Sequence, residues 1–320
     1  MSVLIVADHL GQGDSWTARL VGAARLLGST VTVLVAGSGC QDAAVRLASL
    51  AGVDEVLYAL HPAPVGVPVE DLAQLVLALA PGYTHVLATA STFGAELIPR
   101  VAAMLGVSPV TGVVEMSDRF TFTRPIHANG VLARLRVSST PIFLTLQPWA
   151  FSSTGGSDGT PAPMRRIQDV PQLGLSWRMD FIPSTSIGQE DLSTAQVVVA
   201  GGGGLEKSGG FVPVQQLAKS LGGAVGASRA AVDAGLVPAD LQIGQTGRSI
   251  APKFYIALGI SGAIQHVAGI KDAGTVVSIN RDPQAPMAAM ADLALTADLY
   301  EAVPALMEAL GVKPHLSLNS

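Results

Sequence analysis

The chain has 320 residues, of which 49% are hydrophobic, 13% charged and 5% aromatic, and its formal net charge is −5 at pH 7. This length predicts about two domains, and a mean hydropathy of +0.44 suits parallel strands covered on both faces, with a sizeable partner interface expected where polar surface is scarce. The acidic balance and few aromatics argue against nucleic-acid binding; one cysteine, Cys40, allows neither an intrachain disulfide nor a cysteine-cluster metal site.

Residues 3–7 are an apolar strand pattern, followed by helical spacing at 15–27 that stops at Gly28. A strand at 31–36, a helix at 41–51 and a weak strand at 56–58 come next. After a proline-rich loop at 61–68, a helix is expected over 69–80, a strand over 85–90 and a helix over 93–105. Strands alternating with helices of about a dozen residues predict a parallel, doubly wound sheet. After Val107 the rhythm changes. Strand-like runs at 113–116, 120–127, 131–138 and 141–146, with a turn at Asn129-Gly130, read as antiparallel additions to the sheet edge. Residues 151–190 read as a loose segment, with 160–183 lacking any sustained period. The expected fold is α/β in two domains, each a doubly wound, mostly parallel sheet: residues 1–190 and 191–320.

In the second domain a strand at 196–200 enters four glycines, Gly201 to Gly204, and a helix follows at 211–221. Strand-like runs at 224–227 and 254–260 end in small or polar residues that open helix-like stretches, an arrangement suited to an anion or nucleotide at the carboxyl ends of strands. Strands at 275–279 and 293–296 and a helix at 299–310, capped by Asp298, complete the chain. The polar residues fall at the turns. Arg229 follows Ser228, and its planar cation suits a phosphate or a delocalised anion, or a surface pair with Asp233. Thr246 lies between glycines that admit close backbone approach, or stabilises its own turn. His266 sits on a short helix, where a lone histidine is more often structural. Asn280 and Asp298 end strands and can serve as caps. His9, His61, His85, His127 and His315 have no metal-ligand spacing, and no nucleophile–base set is legible. These residues point to binding a cofactor that carries the chemistry. Without a signal-peptide pattern or an apolar run of about 18 residues, a cytoplasmic location is expected.

G-A-S-R-A-A-V-D-A-G at 226–235, G-Q-T-G at 244–247 and I-S-G-A-I-Q-H at 260–266 resemble the C-terminal segment of the electron transfer flavoprotein alpha-subunit family. So do N-R-D-P at 280–283, Ala285-Pro286 and A-D-L at 297–299, and, in the first half, residues 91–103 and 124–129. The resemblance implies a heterodimer with a beta subunit and an FAD held by a Rossmann-like, DHS-like C-terminal domain. It also implies AMP in the beta subunit. Electrons would come from flavin dehydrogenases such as acyl-CoA dehydrogenases and pass to a membrane-associated quinone oxidoreductase. The protein would be a carrier in fatty acid beta-oxidation, without turnover of its own substrate. By the same resemblance Arg229 would sit against the isoalloxazine, Thr246 near N5 and His266 at O2. Ser228, Gln245 and Ser261, with the adjoining Ile243, Gly244, Gly262, Ala263, Ile264 and Gln265, would hold the ribityl and pyrophosphate. Asn280, Asp298 and Leu299 would line the adenosine end. One departure concerns FAD affinity: Gly203 stands where many relatives carry a basic residue, and Glu206 is inserted before Lys207, a substitute cation. The alternatives are a nucleotide-binding paralogue without redox chemistry, acting as an interaction subunit, and a subunit of an electron-bifurcating flavoprotein. A related NAD-dependent deacylase would need paired zinc-binding cysteines.

Overall fold

A computed structural model describes residues 2–8, 13–28, 30–62, 66–127, 130–154, 159–168, 171–176, 192, 195–205, 210–270 and 273–311. The chain divides into two compact units, Met1–Ile182 and Pro183–Ser320. Each is an α/β unit built on a parallel sheet.

The first unit contains β1 (Ser2–Val6), α1 (Gly13–Leu26), β2 (Thr30–Gly37), α2 (Cys40–Ala48), β3 (Glu55–Leu60), α3 (Val69–Leu79), β4 (His85–Thr89) and α4 (Thr92–Met104). After them come β5 (Val110–Val113), β6 (Glu115–Met116), β7 (Thr121–Ile126), β8 (Val131–Arg136), β9 (Ile142–Leu146) and β10 (Met164–Ile167). The main sheet runs β10-β3-β2-β1-β4-β9-β5, and all its pairings are parallel. Side chains alternate across a strand, and β1 shows the consequence. Val3 and Ile5 pack with Leu20, Val21, Ala44 and Leu47 of α1 and α2. Leu4 and Val6 pack with Leu72, Val76, Leu97 and Ile98 of α3 and α4. Helices therefore cover both faces, and the near-continuous apolar runs of the strands follow. Truncating Leu4 or Ile5, both fully buried, to alanine costs about 2–5 kcal/mol.

Two sequence expectations fail here. The runs between 113 and 146 are not antiparallel additions to the sheet edge. β6, β7 and β8 form an antiparallel sheet of their own, while β9 lies inside the main sheet, parallel to β4. Sequence alternation gives strands but does not say which sheet they join. Residues 160–183, read as structureless, contain β10, which extends the sheet beyond β3. Its side chains are mostly exposed, so it carries no apolar periodicity. Beyond it, Leu173 N–H donates to Asp71 Oδ1 at 2.7 Å and Ser176 Oγ to Glu70 Oε2 at 2.8 Å. Cys40 is buried, and burial pushes its thiol pKa up, as expected of an inert thiol.

The second unit contains β11 (Val197–Gly201), α5 (Val212–Ser220), β12 (Ala224–Ala227), α6 (Arg229–Asp233), β13 (Phe254–Leu258), α7 (Ile264–Val267), β14 (Thr275–Asn280), α8 (Pro286–Met290), β15 (Leu293–Thr296) and α9 (Leu299–Ala309). Its sheet order is β12-β11-β13-β14-β15, parallel throughout. One face is covered by apolar residues of α5, α6 and α9, with Val199 and Leu258 beneath them. The other is covered by Ile243, Ile250, Ile260, Ile270 and Met287, over Val198, Ala200, Tyr255 and Ala257. Here long helices give way to loops and short helices. Among the described residues no helix is long and apolar enough to cross a membrane.

Candidate functional site

The strand order places the second and third strands of this unit on opposite sides of the first. Such a sheet has its topological switch point between β11 and β13, and the crevice outside the carboxyl ends there is where ligands bind. Backbone hydrogen bonds run along those ends. Ser228 N–H donates to Gly201 O (2.9 Å), Gly202 N–H to Leu258 O (2.9 Å), Gly259 N–H to Ile279 O (2.9 Å) and Ala297 N–H to Asn280 O (3.1 Å). The glycines are required by close approach. A Cβ on Gly202 would lie 2.0 Å from Gly259 O, and one on Gly259, whose φ is +63°, would lie 3.2 Å from Leu299 Cδ2. The four-glycine turn, Gly259 and the start of α9 thus form one cradle. At Gly203 a Cβ would meet, among the described residues, only Ala230 Cβ, at 3.2 Å. Glu206 and Lys207 lie outside the described residues.

A second part of the site is the loop between α6 and β13. Ile243 N–H donates to Ala227 O at 2.9 Å and Gln245 N–H to Gln265 O at 2.8 Å. Gly244 has a φ of +139°, and a Cβ there would lie 2.8 Å from Gln265 O. Ile243, Gly244 and Gln245 are therefore held between the end of β12 and the backbone of α7. The Thr246 hydroxyl accepts from Gln242 Nε2 at 2.9 Å, which is the turn-stabilising role. Beyond β13, Ser261 O accepts from Met287 N–H at 3.0 Å, and Gly262, with φ +86°, could not carry a Cβ, which would lie 2.4 Å from Met287 N. Ala263 is the N-cap of α7, and Ile264 is 80% exposed on it. The helix-like stretches expected after β12 and β13 are only five and four residues long, so they supply first-turn N–H groups rather than a long helix dipole.

The charged residues sit as surface pairs. Arg229 Nε is 3.3 Å from Asp233 Oδ2, with both side chains more than three-fifths exposed, so the pair holds Arg229 weakly. Ser228 caps α6, its Oγ accepting from Ala231 N–H at a long 3.4 Å. Asn280 Nδ2 donates to Ile260 O at 3.0 Å. Asp298 caps α9 by accepting from Tyr300 N–H at 2.9 Å, and its other oxygen pairs closely with Arg281. The Arg281 hydrogen bond and then the Tyr300 N–H hold the Asp298 carboxyl below the usual carboxylate range.

His266 differs from the rest. It is 6% exposed, and Nε2 lies 2.7 Å from the hydroxyl of Tyr255, which is wholly buried. Among the described residues Nδ1 is buried without a partner of hydrogen-bonding geometry. Burial lowers the imidazole pKa to about 4, against a smaller opposing influence from the Ile243 backbone. A buried polar atom left over beside the Gly244 loop, where a Cβ would lie 3.4 Å from His266 Cα, fits a site that a polar ligand completes.

Five features escape sequence reasoning: the approach of Gly202 to Gly259, the Tyr255 partner of His266, the Arg281–Asp298 pair, Met287 against Gly262, and Tyr300, whose hydroxyl lies 3.4 Å from both Leu205 O and Gly210 O. Tyr255 alone left a signal, since a tyrosine in an aliphatic strand needs a partner for its hydroxyl. Among the described residues no cluster of histidine, cysteine and carboxylate side chains could hold a metal ion.

The comparisons with known proteins cover both units. A family model described as the electron transfer flavoprotein domain matches residues 3–171, and one described as the electron transfer flavoprotein FAD-binding domain matches residues 191–271. Electron transfer flavoprotein subunit alpha of Pseudomonas aeruginosa is 40% identical over 318 residues, covering 97% of this chain and 100% of its own length. The mitochondrial subunit alpha of Arabidopsis thaliana is 41% identical, covering 98% of this chain and 90% of its own. The subunit alpha of Paracoccus denitrificans is 40% identical, covering 91% and 93%.

Proposed function

The chain belongs to the electron transfer flavoprotein alpha-subunit family, and we propose that it carries electrons on one FAD held at the carboxyl ends of β11 to β15. The observation that carries this reading is the cradle at the switch point, where a side chain on Gly202 would collide with the Gly259 backbone and Gly259 holds a positive φ against Leu299. When bound, FAD supplies the one- and two-electron chemistry that no side chain of this chain possesses.

The chain's own groups bind and bias that cofactor. Ser228, Gln245, Ser261 and the backbone of Ile243, Gly244 and Gly262 to Gln265 hold its ribityl and pyrophosphate. Asn280, Asp298 and Leu299 take the adenosine end. Thr246 and His266 address the ring system with a hydroxyl and an imidazole. Arg229, tethered among the described residues only by an exposed pair with Asp233, would supply a cation to the ring and favour uptake of negative charge there. The protein works as a heterodimer with an AMP-bearing beta subunit, in the cytoplasm. It takes electrons from flavin dehydrogenases, passes them to a quinone oxidoreductase and turns over no substrate of its own. Residues 1–190 serve the beta subunit and residues 191–320 the flavin.

The test is a stepwise reductive titration of the chain, co-expressed with a beta subunit, followed by absorption. Flavin bands that bleach reversibly are expected. Arg229→Ala should lower the flavin potential by roughly 40 mV, the equivalent of about 1 kcal/mol for an exposed charge a few ångströms from the added electron. A colourless complex that FAD does not reconstitute would refute the carrier reading. A flavin-loaded Arg229→Ala with an unchanged potential would remove Arg229 alone.

A further inference from the structure

Tyr255 and His266 form an isolated polar pair inside an apolar cluster. The hydroxyl and Nε2 are 2.7 Å apart, and Tyr255 is fully buried on β13 in the apolar cluster that also holds Ile243, Ile250, Ile260, Ile270 and Met287. The hydrogen between them can belong to either group. If Nε2 carried it, the tyrosine O–H would have no acceptor and Nδ1 would present a bare lone pair, because among the described residues the hydroxyl has no other partner and Nδ1 has none of hydrogen-bonding geometry. If the hydroxyl carries it, one group remains to be satisfied, Nδ1–H. Buried donors and acceptors are matched in native proteins, so the second arrangement is favoured. It leaves Nδ1–H as the single donor without a partner of hydrogen-bonding geometry among the described residues, with only the weaker influence of the Ile243 backbone on the ring.

We propose that Tyr255 is a positioning residue for the cofactor site: its hydroxyl donates to Nε2 of His266, fixes the imidazole as the neutral Nδ1–H tautomer, and thereby makes His266 a hydrogen-bond donor to a carbonyl oxygen of the bound flavin. The proposal rests on the reading of this crevice as the FAD site. The tautomer itself is a property of the protein without flavin. The consequence is a directional one. A histidine held this way offers the ring system a donor with no net charge of its own, and the electron-withdrawing effect of that donor persists over the pH range in which the imidazole stays neutral. Tyr255 acts without touching the cofactor.

The experiment is nitrogen-15 NMR of histidine-labelled full-length chain, flavin-free and FAD-loaded, for the wild type and Tyr255→Phe. The expected result for the wild type is a protonated Nδ1 and an unprotonated, hydrogen-bonded Nε2 on His266 in both forms, with the Nδ1–H signal moving on FAD binding. Tyr255→Phe, which removes one oxygen, should give a mixture of tautomers and a lower flavin potential with Arg229 unchanged. A wild-type His266 protonated at Nε2 would overturn the proposal without any variant, and so would a Tyr255→Phe protein that keeps the pure Nδ1–H form. If FAD binds and leaves the His266 signals unmoved, the flavin placement fails and the donor role falls with it, while the tautomer assignment stands. A merely structural Tyr255 would change the melting point and leave tautomer and potential alone.

Discussion

His266 is where the sequence and the fold pull hardest on one side chain. Burial lowers its pKa from 6.5 to about 4, so the folded protein holds it neutral while the unfolded chain takes up a proton in mildly acidic solution. A group with a depressed folded pKa stabilises fully above the unfolded value and loses that contribution as pH falls towards the folded one. The window is therefore pH 6.5 down to about 4, and the loss is on the order of 3 kcal/mol. Urea unfolding of the flavin-free protein should show its midpoint falling across that window. His266→Gln cannot take up the proton and should flatten the fall. Equal slopes for the two proteins would show that other groups set the acid sensitivity. The lone histidine read from sequence as more often structural is indeed bonded within the core, through Tyr255. Its spare Nδ1 was illegible, because it depends on what approaches from outside the local chain.

At the scale of elements, the site is made where strands end. Gly202 and Gly259 leave β11 and β13 side by side, and the methyl of Gly202→Ala would need to occupy the position of Gly259 O. Separating those ends should destabilise the second unit by about 1–3 kcal/mol and weaken flavin retention. Gly203→Ala, which among the described residues meets only the exposed Ala230 Cβ, should be close to neutral in both. Denaturant midpoints and flavin content of the two purified variants measure this, and equal behaviour would contradict the cradle. The glycine run and its place after a strand were legible in the sequence. Its partner was not, since Gly259 lies more than fifty residues further along and only strand order brings it near. The same distinction explains the sheets. Alternation and helix periods at residues 3–105 gave nearly the observed elements, because each is a local pattern of burial. β10 has an exposed face and few apolar residues, and the destinations of β5 to β9 depend on pairing that a single strand does not encode.

For the molecule as a whole, the packing implies two cooperative units. Two apolar clusters are built from residues of the first unit and two from residues of the second. Each sheet is closed over on both faces by its own segments, so each unit has the core that independent folding needs. A ligand that binds one native unit stabilises that unit by mass action, by about 2.7 kcal/mol at a hundredfold excess over Kd. For a unit of this size that is an upward shift of roughly 10 °C. Calorimetry of the full chain should therefore show two transitions. FAD should raise one and leave the other where it was, and Gly202→Ala should lower the one that FAD raises. If heating gives a single transition that moves as a whole with FAD, the units are thermodynamically one body, and flavin binding reports on the first sheet as much as on the second. Two transitions with FAD raising the one that Gly202→Ala leaves alone would put the flavin in the wrong unit, whatever the crevice at β11 and β13 looks like.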